Sequence, residues 1–229
     1  MVALITGASS DIGKAIALTL NKNGYDLVLL YHNKEIDYID ELNNTKIFKC
    51  NISNEEEVKN IINSVEKIDI LINCAAISMD NYIKDKTKEE FMKVLEVNLV
   101  GTFLVTKYAV NKMDNGTVIN ISSLDSTKTF NSLSVDYIAS KAGVNTLTKT
   151  FSLEYRNIRF ITLLLPWIKT SSVLEMNPEY LKEEMNKYKQ DRLMEVEEVS
   201  NKVLDVINSN TPSGSILEVN YDWYRNNSW

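Results

Sequence analysis

The sequence predicts an α/β fold: a doubly wound parallel sheet of seven strands, flanked by helices, in a single domain. Three observations predict it. Short β-branched apolar runs alternate with longer segments of helical spacing along the whole chain. The short runs are almost continuously apolar, as strands covered on both faces must be. A turn of the form Gly7-x3-Asp11-x-Gly13 follows the first run and opens the first helical segment.

Taken in order, strands are expected at 2–6 (VALIT), 26–31 (DLVLLY), 46–50 (KIFKC) and 68–73 (IDILIN). Three more follow at 116–122 (GTVINIS), 159–165 (RFITLLL) and 215–219 (SILEV). Helical spacing occupies 11–23, 53–66, 87–113, 135–155 and 195–208. Within 135–155, for example, Ile138, Ala142, Leu147 and Phe151 share roughly one stripe. Residues 171–194 interrupt the alternation with two or three amphipathic turns. Such an insertion on the carboxyl side of a parallel sheet suits a substrate lid, which we place at about 167–194. With seven glycines, three prolines and no repeat, nothing marks a linker, so residues 1–229 are expected to form one unit.

Composition excludes several function classes. A net charge of −6 without a basic run argues against nucleic acid as a partner. No apolar stretch reaches the roughly 18 residues that span a bilayer, so no membrane association is expected. The chain opens on a strand-like run, leaving no room for a leader, and the expected location is cytoplasmic. Cys50 and Cys74 are expected as buried free thiols. His32 is the sole histidine, which leaves neither a zinc site nor a Ser-His-Asp triad a plausible ligand set.

The turn after the first strand aims a helix amino terminus past a strand end, where amide hydrogens and the helix dipole favour an anion such as pyrophosphate. Asp11 stands where such loops usually carry a second glycine. Two like charges about 5 Å apart repel by roughly 3 kcal/mol at an effective dielectric near 20. The side chain is therefore expected to turn away and cap the helix, with Lys14 offsetting its charge. On that reading, Asp11→Gly changes cofactor affinity less than about tenfold.

Downstream, Tyr137 and Lys141 stand four apart on one helical face in "DYIASKAGV". An ammonium near a phenol favours the phenolate and is expected to lower the phenol pKa by roughly two or three units. Ser122 and Ser123 end "VINISS"; Asn98 lies in "LEVNLVGTF" and Asn73 in "LINCAAI". Alternation along the strand points Ser122 and Ser123 to opposite sides.

Together "TGASSDIG", "NCAA", "VNLVGTF", "ISS", "YIASK" and "LLPWIKT" resemble, in order and spacing, the short-chain dehydrogenases/reductases. Within that family the chain is most similar to the 3-oxoacyl carrier-protein reductases. The resemblance implies a Rossmann-type fold and a proton donated by Tyr137. It implies that Lys141 lowers the phenol pKa and binds the nicotinamide ribose, that Ser123 stabilises the carbonyl oxygen, and that Asn98 holds a water leading to Lys141. It also implies dinucleotide contacts from Gly7, Ser9, Ser10, Asp11, Ile12 and Gly13 in the loop. Further contacts are implied from His32, Asn33, Asn51, Ile52, Asn73 and Ala75, and beyond the sixth strand from Pro166, Ile168 and Thr170. Ser123, Trp167 and Leu174 are the expected substrate contacts, with Met176 and Met185 in the same lid.

Several positions depart from the family pattern. Ala76 replaces a glycine, Asn51 an adenine-contacting aspartate and Trp167 the glycine of a "PG" pair, while "VNYDW" replaces a terminal "DGG". After the second strand the chain reads "YHNKE", with no acid before Glu35, and His32, Asn33 and Lys34 offer donors to a 2′-phosphate. NADPH is therefore favoured over NADH. The resemblance further implies a homodimer or homotetramer and a small-molecule or carrier-bound ketone. Lys128, Arg156 and Arg159 match the family's carrier-docking positions poorly. "PWIKT" also resembles a bacterial reductase of an aminopentanone group on elongation factor P. A catalytically silent dinucleotide-binding sensor or scaffold is the reading from another class.

Overall fold

The computed structural model describes residues 1–128 and 130–219. Seven strands form one parallel sheet in the order β3-β2-β1-β4-β5-β6-β7. They are Val2–Thr6 (β1), Asp26–Tyr31 (β2), Thr45–Lys49 (β3), Ile70–Asn73 (β4), Gly116–Ser123 (β5), Ile158–Leu165 (β6) and Ser215–Glu218 (β7). The strand order reverses between β1 and β4, so a crevice opens at their carboxyl ends. Of the "VNYDW" departure, all but Val219 lies outside the described residues.

Strand alternation divides the core into two layers. Leu4, Val28, Leu71, Val118 and Phe160 face one side, packing with Val58 and Ile62 of α2 (Glu55–Asn63) and Val105 of α4 (Thr102–Ala109). Ile5, Leu29, Ile72, Ile119 and Ile161 face the other, against Ile16 and Leu20 of α1 (Asp11–Lys22) and Val203 of α8 (Val196–Asn208). This two-sided burial is why the strands read as unbroken apolar runs.

The helix expected over 87–113 runs unbroken over 88–112, but it is not α-helical throughout. Thr87 opens α3 (Lys88–Leu95) with a capping box closed by Glu90, and a π-helical turn, Glu96–Gly101, separates α3 from α4. Thr102 Oγ1 donates to Asn98 O at 2.8 Å and Thr106 Oγ1 to Thr102 O at 2.7 Å, bonds that divert helix carbonyls. Such wide turns are frequent at functional sites, and this one carries Asn98. The long helix α5 (Val135–Glu154) packs on β5 and β6. The segment 167–194, expected as a lid, contains two short helices, α6 (Ser171–Leu174) and α7 (Pro178–Lys187). Its stem is closed by a bridge between Ile168 and Met194. Among the described residues, no helix is long and apolar enough to cross a membrane. Cys50 and Cys74 are buried free thiols.

Candidate active site

The loop between β1 and α1 is shaped by its glycine and its supports. Gly7 adopts φ +65°, and a Cβ there would sit 2.7 Å from the Ala75 Cα, so this turn excludes any side chain. Thr6 Oγ1 accepts the amides of Cys74 and Ala75, both at 3.1 Å, locking the ends of β1 and β4 together. Beneath the loop, the buried Tyr38 hydroxyl donates to Ala8 O at 2.7 Å.

Asp11 does not cap α1. Ser10 does, its Oγ accepting from Gly13 N at 3.1 Å. Asp11 is instead the first residue of the helix, where its side chain reaches outward and accepts from Ser171 N at 2.6 Å. Lys14 does not offset Asp11 either: its ammonium pairs with Asp37 at 3.2 Å and lies 4.9 Å from the Tyr38 ring centroid.

Two cavities adjoin at this loop. One, of about 1000 Å³, is lined by Gly7, Ser9, Ser10, His32, Asn33, Lys34, Asn51, Ile52 and Ala75. The other, of about 490 Å³, runs from Ser9, Ser10, Asp11 and Ile12 past Ser123, Tyr137 and Lys141. Its far wall is the lid stem, with Pro166, Trp167, Ile168 and Thr170. Three expected contacts stand elsewhere. Asn73 is buried in the sheet, donating to Thr106 Oγ1 at 3.0 Å and Asn120 Oδ1 at 2.8 Å. Gly13 is buried, with a virtual Cβ 2.3 Å from Gly7 O, so its role is close packing of loop and helix. Leu174 is 59% exposed; Val173 and Met176 on the same segment line the cleft instead.

Along the wall of the smaller cavity the strand and helix residues meet. Ser123 ends β5, and its Oγ accepts from Asp125 N at 3.2 Å. Ser122, pointing the other way, donates to Lys141 O at 3.3 Å. Tyr137 and Lys141 lie on successive turns of α5, and the ammonium stands 5.5 Å from the phenol ring centroid. Lys141 Nζ donates to Ile121 O at 2.8 Å. Burial pulls the Lys141 pKa down to about 8. Burial also pushes the Tyr137 phenol well above its ordinary value, with Asp125, Cys74 and Asp80 adding to the rise. The expected lowering of the phenol pKa is therefore reversed: loss of solvation outweighs an ammonium at this distance.

Asn98 turns both polar ends to one backbone unit. Its Nδ2 donates to Ile77 O at 2.9 Å, its Oδ1 accepts from Ile77 N at 2.8 Å, and Ser140 Oγ takes a further bond at 3.1 Å. The side chain thus ties the loop after β4, which lines both cavities at Ile77, to α5.

Sequence reading missed three supports. Lys86 and Asp136 form a buried ion pair at 2.8 Å, and Asp136 Oδ1 also accepts from Tyr137 N at 2.8 Å. The buried Gln190 brackets Trp167, accepting its N–H at 3.0 Å and donating to its carbonyl at 2.7 Å. Asp80 and Asp125 line the smaller cavity; Asp80 accepts from Ser78 at 2.6 Å and Ser134 at 2.7 Å, and Asp125 accepts from Tyr188. A partner 50 residues away leaves no local signal in either member of a pair.

A glycine turn closed to side chains, a helix amino terminus beside it and two connected cavities at the sheet's switch point fit a bound dinucleotide. The family described as short chain dehydrogenase matches residues 1–181. The chain is 35% identical over 183 residues to a 3-oxoacyl-(acyl-carrier-protein) reductase FabG of Rickettsia conorii, covering 76% of each. It is 31% identical over 230 residues, 95% of each, to carbonyl reductase family member 4 of Xenopus laevis. Among solved structures it is similar to the aldohexose dehydrogenase of Thermoplasma acidophilum: TM-score 0.83 and 24% identity, covering 95% of this chain and 91% of that one. A short-chain type dehydrogenase/reductase from Mycobacterium ulcerans gives a TM-score of 0.86 at 22% identity, covering 95% and 87%. The chain belongs to the short-chain dehydrogenase/reductase family and is an NAD(P)-dependent oxidoreductase.

Proposed function

We propose that the protein is an NADPH-dependent carbonyl reductase acting on a 3-oxoacyl thioester or a similar ketone. The observation that carries this reading is the meeting of Ser123, Tyr137 and Lys141 at one end of the cleft that begins at the glycine turn. When bound, the dinucleotide supplies the hydride. Ser123 Oγ hydrogen-bonds the substrate carbonyl and fixes its orientation. Tyr137, held protonated by burial, donates to the developing alkoxide. Lys141 places a positive charge beside the phenolate left behind.

For the cofactor, His32, Asn33 and Lys34 line the larger cavity directly after β2, where donors suit a 2′-phosphate. The four contacts Ser9, Ser10, Asn51 and Ile52 belong to the same reading. The exposed Val100, Phe103 and Leu153 on the π-turn, α4 and α5 support packing of a second copy against these helices, in a dimer or tetramer.

A second reading, a ketone bearing an amine, is favoured by Asp80 and Asp125 at the substrate end. Basic docking groups for an acidic carrier are poorly placed. Arg159 donates to the carbonyls of Ile207 at 2.8 Å and Ser209 at 2.7 Å. With Arg156 it lies at the amino end of β6, away from the cleft. Lys128 pairs with Glu218 at 2.7 Å. The test is oxidation of NADPH and NADH with acetoacetyl-CoA, simple ketones and an amino ketone. Faster turnover with NADPH and acetoacetyl-CoA supports the first reading, and preference for the amino ketone the second. No turnover with a cofactor-induced thermal shift would leave the dinucleotide-binding sensor or scaffold, and no shift either would remove the dinucleotide reading.

A further inference from the structure

The bond between Asp11 and Ser171 is solvent-exposed and joins residues 160 positions apart that both line the smaller cavity. On one side stands the glycine turn, on the other the first residue of α6. From this we infer that Asp11 is a positioning residue: it straps the lid to the phosphate-binding loop and so governs how fast the dinucleotide enters and leaves. The inference rests on reading that loop as the dinucleotide site.

Three observations carry it. The carboxylate has no part in capping its own helix, because Ser10 already supplies that acceptor. Its partner is a backbone amide at a helix start, a position short of acceptors, and a carboxylate there makes a short, charge-assisted bond. Thr170 takes the neighbouring amide of Val173 at 3.4 Å, so Asp11 and Thr170 together seat α6.

Among the described residues, other ties of the lid lie at its stem and along 180–188, where Tyr188 donates to Asp125. Trp167 is held by Gln190 and Met194, Lys169 by Met194 and Glu195, and Tyr180 by Asn131. Asp11 thus joins the near edge of α6 to the opposite wall. A glycine at this position has no group with which to do so. Because the strap links two walls of the cavity at its solvent-exposed side, it opens for the dinucleotide in both directions. Breaking it speeds association and dissociation alike and leaves affinity nearly unchanged.

Two variants delete opposite ends of the bond. Asp11→Gly removes the acceptor. Ser171→Pro removes the donor, at a first helical position that favours proline, and Thr170 before it already has the extended conformation proline requires (φ −106°, ψ 160°). Asp11→Asn retains a neutral acceptor, and Ser171→Ala leaves both partners in place.

Amide hydrogen exchange on the dinucleotide-free protein reads the strap directly. Both deletions are expected to speed exchange at Val173, Leu174 and Met176 by about fivefold or more, the worth of one such bond, with Asp11→Asn intermediate and Ser171→Ala unchanged. In stopped-flow binding, NADPH association and dissociation rates both rise by about the same factor, and Kd stays within about tenfold. Unchanged exchange in both deletions, unchanged association and dissociation rates, or a rise in only one of the two rates would overturn the strap. Failure of the wild type to bind NADPH or NADH would instead sink the dinucleotide reading, while the exchange data still decide whether the strap exists.

Discussion

Tyr137→Phe is expected to lower kcat for ketone reduction by roughly 10²–10⁴-fold, the range contributed by a positioned general acid, with little change in cofactor affinity. The phenyl ring preserves the packing of the first turns of α5 and deletes only the hydroxyl. The phenol is raised by burial first and then by Asp125, Cys74 and Asp80, so it carries its proton throughout the neutral range. Lys141 titrates much lower, at about 8. Wild-type reduction is therefore expected to fall as pH rises through about 8, when the ammonium loses the charge that balances the departing proton. The sign for stability is opposite. Lys141 binds its proton less tightly folded than unfolded, so its contribution to stability rises between about pH 8 and the ordinary lysine value. Steady-state kinetics from pH 6 to 10 check the first claim, and the residual activity of Tyr137→Phe should lose most of this pH dependence. A variant retaining half the wild-type kcat would remove Tyr137 from the proton path.

The sheet was legible because the features that make it are local. Runs such as Leu27–Leu30 must be apolar throughout when both faces are covered, and each run needs only its own residues to be recognised. Gly7, Ser123, Tyr137 and Lys141 were legible because turn geometry and helical spacing place them whatever the surroundings. What sequence reading could not supply depends on distant partners. Asp11 could be expected to avoid the phosphates, but its acceptor role toward Ser171 depends on where the lid folds back. Lys14 was diverted by Asp37, which sits in a loop without periodicity. The π turn within the 88–112 helix accompanies threonine hydroxyls drawing on helix carbonyls around Asn98, and apolar spacing carries no sign of it. Leu174 followed from hydrophobicity alone, yet a four-residue helix turns it to solvent and Val173 inward.

Lys86→Met is expected to cost about 3–5 kcal/mol of folding stability, because it leaves a buried carboxylate without its counter-charge. The pair is 2.8 Å long, with side chains 4% and 0% exposed. Lys86 also donates to Met79 O, and Asp136 also accepts from Tyr137 N, so one ion pair joins the loop after β4 to the turn of α5 that carries the phenol. Met matches the lysine stem in volume, so the loss isolates charge and hydrogen bonding rather than packing. Adding Asp136→Asn removes the stranded charge while an amide oxygen still receives the Tyr137 N–H. The double variant should therefore be markedly more stable than Lys86→Met alone, in urea melts compared as a double-mutant cycle. A loss below about 1 kcal/mol in the single variant would mean the pair behaves as a solvated surface bridge. Catalysis offers an independent reading of the same contact. If the pair orients α5, both single variants lower kcat while the Kd of the dinucleotide, bound largely through the glycine turn, moves little. The expected order of activity is wild type, double variant, then the singles, because a neutral pair restores the position of Tyr137 better than one unpaired charge does.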